Sequence, residues 1–307
     1  MRERTALTLV VLSLLVSCVA CRSSEARFDG QRALKHVAKL CDIGPRPVGT
    51  QANRQAADYI ARVLEGSGWE VEAQDFVYQG VRARNVVGRR GQGRLIILGT
   101  HYDTRPLADR DPGDRSRPVM GANDGGSGVA VLLELARVLD ESATQEAEIW
   151  LAFFDAEDRG EIDGWPSCVG SQYMADTLAE ESEHRPEYVL VIDMVGDADQ
   201  RIYYEWSSAL WLQEKIWGLA ADLGHGEHFL PMHRHHVVDD HTPFLQWGIV
   251  SAVVIDLDYP YWRTRHDTLD KISADSLQRV GEVLETLLEG EPFAARPVES
   301  SGSQATP

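Results

Sequence analysis

Acidic side chains and one histidine follow short apolar runs of this sequence, where predicted strands end. Residues 95–98, 149–154, 188–192 and 250–255 are predicted as buried strands because each run is short, apolar and rich in β-branched or aromatic residues. In open α/β sheets, sites lie beyond the carboxyl ends of parallel strands. The side chains brought to this edge are His101, Asp103, Asp155, Glu157, Asp158, Asp193, Asp256 and Asp258.

A glycine-rich segment, residues 121–128 (GANDGGSG), adds Asp124 to these groups just before a predicted helix. Glycine lets the backbone turn sharply at such a point. One acid at a strand end is typical of a solvated loop, but acids from five segments repel one another unless a cation balances them. Aspartate, glutamate and histidine are zinc ligands, so the set indicates a zinc site.

Helices and strands alternate along the chain and must position these groups. Helices are predicted over residues 30–40, 50–64 with Thr50 as N-cap, 129–139, 210–223 and 273–288. Residues 71–78 alternate as a strand, and residues 85–87 and 95–98 flank a glycine turn that suggests a hairpin. The pattern predicts one α/β domain with a single central sheet.

The composition allows a large core and disfavours nucleic acid as a partner. The 307 residues are 43% hydrophobic and 25% charged, and 30 Lys and Arg against 48 Asp and Glu give a net charge of −18. Binding to nucleic-acid phosphates needs basic surface. An acidic cleft attracts cations instead, including metal ions and ammonium termini.

The first residues predict export. Arg2 and Arg4 precede an apolar run, residues 6–16, that is too short to span a membrane and is typical of a signal peptide over residues 1–17. Residues 15–18 (LVSC) resemble a bacterial lipobox, so we expect lipidation at Cys18, with Cys21 or simple secretion as alternatives. The expected product is a lipoprotein on the periplasmic face of a membrane or on the cell surface, held by its lipid alone.

The expected organisation is a lipid anchor and tether at residues 18–28, a domain at 29–291 and a disordered tail at 292–307. We expect a monomer. Beyond the expected cleavage point the chain keeps Cys41 and Cys168, which form either one disulfide or two buried thiols.

Five motifs occur in an order that resembles the zinc exopeptidase superfamily. They are residues 101–103 (HYD), 121–125 (GANDG), 153–158 (FFDAED), 192–196 (IDMVG) and 239–245 (DDHTPFL). Within it the chain is most similar to animal-type glutaminyl cyclases and their bacterial relatives, because of Asp239-Asp240-His241 and of Trp262. The resemblance covers about residues 28–288. It implies a three-layer α/β/α fold with a central mixed, mostly parallel sheet.

The resemblance also implies roles for the acidic residues. Asp124 and Asp158 would be metal ligands, and Glu157 would be the general acid and base. In two-metal peptidases of the superfamily His101 and Asp193 bind the second zinc, whereas one-zinc cyclases keep both residues without it. One Zn²⁺ is therefore expected for a cyclase and two for an aminopeptidase.

The substrate pocket follows from the same resemblance. Asp240 and Asp193 would form a carboxylate network beside Glu157 that positions the substrate amine. Trp262 and Trp165 would line the pocket, although core packing explains either tryptophan as well. The expected partners are peptide or protein N-termini.

One position departs from the superfamily pattern. A metal-ligating His is expected directly after Trp262, but the sequence has Arg263, whose guanidinium carries no lone pair for a metal. Three interpretations stay open: His266 replaces the ligand, Arg263 pairs with the acids and inactivates the site, or a histidine of another cluster contributes. That cluster comprises His233, His235 and His236.

Three functions remain open from the sequence. A cyclase would convert an N-terminal glutamine to pyroglutamate with release of ammonia, with Glu157 moving the proton from amine to leaving group. An aminopeptidase would use Glu157 to deprotonate a water that attacks the first peptide bond. A lipoprotein that only binds peptide termini, or an inactive relative of the enzymes, is the alternative that Arg263 favours.

Overall fold

The computed structural model describes residues 27–139, 144, 147–180 and 185–290. The predicted signal peptide, Cys18 and the tail at 292–307 lie outside the described residues and stay predictions. Within the described ranges, no helix is both long enough and apolar enough to cross a bilayer.

Helices and strands alternate much as predicted. The helices are α1 Gly30–Ile43, α2 Gln51–Gly66, α3 Ser127–Val138, α4 Val169–Glu180, α5 Leu210–Asp222, α6 Thr242–Gln246 and α7 Ala274–Glu289. The strands are β1 Glu70–Tyr78, β2 Val81–Gly91, β3 Arg94–His101, β4 Ala147–Phe154, β5 Tyr188–Asp193, β6 Ile202–Glu205, β7 Phe229–His235 and β8 Ser251–Ile255. Side-chain caps set the helix starts: Thr50 accepts from the Asn53 backbone N–H, as predicted, and Ser273 accepts from that of Asp275.

Six strands form the central sheet in the order β1-β2-β4-β3-β5-β8. Strands β4, β3, β5 and β8 are parallel, whereas β1 and β2 join antiparallel at one edge. The predicted hairpin of β2 and β3 is wrong, because β4 lies between these strands and pairs with both. Strand β4 is apolar and buried almost throughout, so a central position with two partners satisfies it best.

Helices cover both faces of this sheet. On one face, α1, α2, α3, α5 and α7 pack over inward side chains such as Leu98 and Leu190. On the other face, α4 and α6 cover side chains such as Ile97 and Val191. The predicted three-layer α/β/α fold is therefore confirmed. Strands β6 and β7 form a separate parallel pair.

The domain includes the end of the predicted tether. Phe28 is 3% exposed, and its ring lies where a side chain on Gly281 of α7 would stand. The backbone N–H groups of Arg27 and Phe28 donate to the Glu285 carboxylate on the same helix. These contacts fix the chain from Arg27 onward.

Candidate active site and metal centre

Two neighbouring strands and a glycine-rich turn bring a histidine and two aspartates together. Strand β3 ends at His101 and lies beside β5, which ends at Asp193. Asp124 reaches the same point from the glycine-rich turn before α3. The His101 Nε2 atom lies 3.1 Å from Asp124 Oδ1 and 3.2 Å from Asp193 Oδ1. We call His101, Asp124 and Asp193 the metal trio.

The metal trio fits a divalent ion. Its three donor atoms lie within 4.8 Å of one another, and all three residues are buried. Zinc bound tetrahedrally at about 2.0–2.2 Å places its ligand atoms about 3.3 Å apart, close to the two separations above. The Asp124 Oδ2 atom is buried without a hydrogen-bond partner, which leaves a lone pair for a cation. Three protein ligands and an open position are the usual composition of a catalytic zinc site.

Asp267 holds the segment that carries Asp124. Its carboxylate accepts from the backbone N–H groups of Asn123 at 2.8 Å and Asp124 at 3.1 Å, and from the Tyr259 hydroxyl at 2.8 Å. Burial, followed by the charge of Asp124, raises the pKa of Asp267 to about 7. The sequence pattern alone gives Asp267 no role, although its place in the turn after Arg263 is a usable signal.

A buried arginine stabilises the other side of the same turn. The Arg46 guanidinium donates to the carbonyl oxygens of Gly121 at 2.8 Å, Met120 at 3.1 Å and Gly125 at 3.3 Å. Gly121 and Gly125 have positive φ, and a side chain on Gly125 would collide with the Asp103 carbonyl. Among the features of the sequence, only the position of Arg46 between two prolines at the start of a loop points to this role.

Glu157 and Asp158 lie in the turn that follows β4. The Asp103 carboxylate, which follows β3, accepts from the backbone N–H groups of Glu157 at 3.0 Å and Asp158 at 3.2 Å. It therefore ties the ends of the two strands together. The Glu157 Oε2 atom lies 4.0 Å from His101 Nδ1, next to the metal trio.

The Glu157 side chain is only 12% exposed and lies among other acids. Burial raises the pKa of Glu157 well above its usual value, and the charges of Asp158, Asp240 and Asp239 raise it further, against the lowering effect of His101. A carboxyl group with a raised pKa can both accept and return a proton near neutral pH. This environment suits the general acid and base predicted at this position.

Asp240 lies in the same group of acids as Glu157, and its role in positioning a substrate amine stays a prediction. Its Oδ1 accepts from the Ser171 hydroxyl at 2.5 Å, and its Oδ2 is buried without a hydrogen-bond partner. Burial, then the charge of Asp239, raises the pKa of Asp240 well above its usual value. Asp193, predicted for the same network, instead contacts His101 directly, and burial raises its pKa to about 7.

Arg263 points at the acid that the resemblance made a metal ligand. Its Nε lies 3.6 Å from Asp158 Oδ1, and Arg105 Nη1 lies 3.5 Å from the same oxygen. Burial, then the charge of Asp124, raises the pKa of Asp158, and both arginines oppose this rise. The expected ligand set of Asp124, Asp158 and a third residue therefore does not fit a metal ion, because guanidinium occupies the third position.

The other histidines predicted as replacement ligands do not reach the site. His266 is exposed, because its neighbour Asp267 turns inward to Asn123 and Asp124. His233 stacks on Trp206 at 4.2 Å, and His235 pairs with Asp258 at 3.1 Å. His236 is exposed as well, and the metal-binding group among the described residues contains none of these histidines, so His266 and that cluster are not ligands in this arrangement.

The two tryptophans differ in their surroundings. Trp262 is partly buried, and the guanidinium carbons of Arg110 and Arg263 lie 3.9 and 4.6 Å from its ring centre. It therefore stands next to Arg263, and its role in lining a substrate pocket stays a prediction. Trp165 is 4% exposed and packs in an apolar cluster with Tyr78, which matches the core-packing alternative instead.

Two of the acids at the strand ends serve elsewhere. Asp256 accepts from the backbone N–H of Arg201 at 2.9 Å, and Asp258 pairs with Arg234 at 3.0 Å. Both follow β8, the edge strand of the sheet, and neither belongs to the metal trio.

Cys41 and Cys168 are free thiols, so the disulfide alternative is wrong. The Cys168 Sγ lies 3.8 Å from Glu157 Oε1.

Comparisons with known proteins agree on a family. The sequence profile of peptidase family M28 matches residues 85–288. The crystal structure of a glutaminyl cyclase from Bacteroides thetaiotaomicron superposes with a TM-score of 0.80 at 31% identity, covering 86% of this chain and 99% of that one. A leucine aminopeptidase precursor from the same organism gives a TM-score of 0.81 at 31% identity, covering 86% and 98%.

One relative is similar in sequence over a shorter stretch of the chain. Aminopeptidase YwaD of Bacillus subtilis is 30% identical over 208 residues, which are 62% of this chain. The chain spans only 39% of the length of that relative.

Proposed function

Because the chain belongs to peptidase family M28, we propose that it is a metal-dependent enzyme that acts on the free N-terminus of peptides and cyclises an N-terminal glutamine to pyroglutamate. The observation that carries this proposal is the largely buried Glu157, which lies beside the metal trio and among the carboxylates of Asp239 and Asp240. Such a group of acids attracts the ammonium of a peptide terminus.

The reaction needs one proton carrier, and Glu157 has the required environment. The α-amine nitrogen bonds to the side-chain carbonyl carbon of glutamine while the bond from that carbon to the amide nitrogen breaks. Glu157 accepts the proton of the attacking amine and returns it to the departing ammonia. Asp240, held by Ser171, would keep the amine directed at the carbon.

A divalent ion held by His101, Asp124 and Asp193 would supply Lewis-acid polarisation of the carbonyl oxygen. Asp267 and Arg46 would keep Asp124 in place for this ion, through the turn that both residues bind. Cyclisation uses no water as nucleophile, so it is compatible with a single ion.

Hydrolysis of the first peptide bond is a second candidate. The same Glu157 could deprotonate a water molecule beside the metal trio, and an aminopeptidase and a leucine aminopeptidase precursor are among the similar proteins. An inactive protein that binds peptide termini is the third alternative, because Arg263 takes the place of a ligand.

One preparation of the full chain tests the proposal. We expect ammonia release from glutaminyl peptides and no amine release from aminoacyl anilides. The matched control is the same peptide with an acetylated α-amine, which cannot cyclise and should release no ammonia. Anilide cleavage without ammonia release would replace the proposal with the aminopeptidase alternative, and the absence of both activities in zinc-loaded protein would support the inactive alternative.

A further inference from the structure

The acidic residues around Asp124 form one cluster with two halves. The halves differ in the cation that balances the charge of their carboxylates. One half is the metal trio, which offers one imidazole nitrogen and two carboxylate oxygens to a metal ion. The other half, which we call the arginine half, consists of Asp158 with Arg105 and Arg263. The two halves meet at Asp124, which contacts His101 and whose charge also acts on Asp158.

The arginine half already holds two permanent positive charges. Both guanidinium groups approach the same carboxylate oxygen, Asp158 Oδ1, at 3.5 and 3.6 Å. Guanidinium stays protonated at all relevant pH values and cannot donate electrons to a metal. A divalent ion at Asp158 would therefore lack a third ligand and would be repelled by both arginines.

Arg263 is fixed in this position by its backbone and by its neighbours. It has φ of +57°, a left-handed conformation that is uncommon for a residue with a side chain. Its carbonyl accepts from the Arg110 backbone N–H at 3.2 Å, and its guanidinium carbon lies 4.6 Å from the Trp262 ring centre. The Arg263 side chain is only 15% exposed, so the charge stays beside Asp158.

We propose that the chain binds one divalent ion, held by His101, Asp124 and Asp193, and that the Arg263 guanidinium is a built-in cation in place of a second ion. This inference rests on the metal dependence in the proposed function but not on the reaction. The proposed ligands differ from those that the resemblance to one-zinc cyclases implied. In that set Asp158 binds the ion and Asp193 does not.

This difference in ligands can be tested by measuring bound zinc, without an activity assay. Each protein is incubated with Zn²⁺, freed of unbound metal by desalting, and analysed for zinc per chain by mass spectrometry. We expect one zinc in the wild type and in Asp158→Asn, and almost none in Asp193→Asn, because losing a ligand weakens binding by more than the roughly 10–100-fold typical of an outer partner.

Arg263→His is the decisive variant. It removes the cation and supplies an imidazole beside Asp124 and Asp158, so we expect two zinc ions per chain. The matched control is Arg265→His, two residues away, because Arg265 is 40% exposed and pairs with Asp111 outside the site. That control should keep one zinc.

Two results would overturn the inference. Zinc lost from Asp158→Asn but kept by Asp193→Asn would move the ion to the arginine half, and an unchanged count in Arg263→His would refute the role of Arg263. Circular dichroism and thermal unfolding identify any variant that fails to fold, and His101→Ala then provides a second test of the metal trio. Ammonia release is measured separately, so a failure of the proposed reaction leaves the zinc counts interpretable.

Discussion

Replacing Asp267 by asparagine should loosen the metal centre without touching a metal ligand. The Asp267 carboxylate is fully buried and accepts from two consecutive backbone N–H groups, those of Asn123 and Asp124. The Tyr259 hydroxyl donates to the same carboxylate. Asparagine has nearly the same shape but only one acceptor oxygen, so its NH2 group must face one of these donors.

The magnitude follows from the contacts that are lost. A hydrogen bond to a charged group contributes about 1.5–3 kcal/mol, and one between neutral groups about 0.5–1.5 kcal/mol. Because the pKa of Asp267 is raised to about 7, the group is only partly charged near neutral pH. Each hydrogen bond to Asp267 should therefore contribute an amount between these two ranges. Losing one or two of these bonds and burying an unpaired NH2 group should lower the free energy of unfolding by about 2–4 kcal/mol.

Two measurements check this prediction. Urea unfolding at neutral pH with a chelator gives the free energy of unfolding of the metal-free chain. Competition with a zinc-binding dye gives the metal affinity, which should fall by about 10–100-fold because Asp124 loses its support. Asp270→Asn is the matched control, since Asp270 is exposed and its replacement should leave the free energy of unfolding close to that of the wild type. Wild-type stability together with wild-type zinc affinity in Asp267→Asn would show that Asp267 does not hold Asp124 in place.

Two more predictions concern single acids. Glu157→Gln should lower turnover by at least about 10²-fold while zinc per chain stays unchanged, since its role is proton transfer; zinc loss would instead make Glu157 a ligand. Burial raises the pKa of Asp256 to about 7, so its stabilising contribution is complete below about pH 4 and is lost as the pH rises to 7. In Asp256→Asn the fall in unfolding free energy over this window should be shallower by about 1.4 kcal/mol per pH unit. Equal slopes in urea unfolding would contradict this assignment.

The sequence predicted most of the site because the positions at strand ends are set by local patterns. His101 and Asp193 follow apolar runs directly, and the runs form adjacent parallel strands. Two side chains at the carboxyl ends of such strands must then be neighbours. Asp256 also follows an apolar run but does not join them, because β8 is an edge strand and its end turns toward Arg201.

The remaining features depend on contacts between distant parts of the chain. The two-residue gap between β2 and β3 favours a hairpin locally, but burial of the apolar β4 between them outweighs that preference. Arg46 and Asp267 act through backbone groups far along the chain, and a sequence pattern does not show which backbone groups a side chain will meet. Whether Arg263 would point inward or outward likewise depends on the turn that Asp267 anchors.

The position of β4 in the sheet has a consequence for the precision of proton transfer. Sheets open from their outer strands, and the strands with two partners separate last. The turn with Glu157 continues from a strand that is bonded on both sides, and Asp103 links that turn to the neighbouring β3. Thermal fluctuations that detach β1 or β8 can therefore occur while the distance between Glu157 and His101 is preserved.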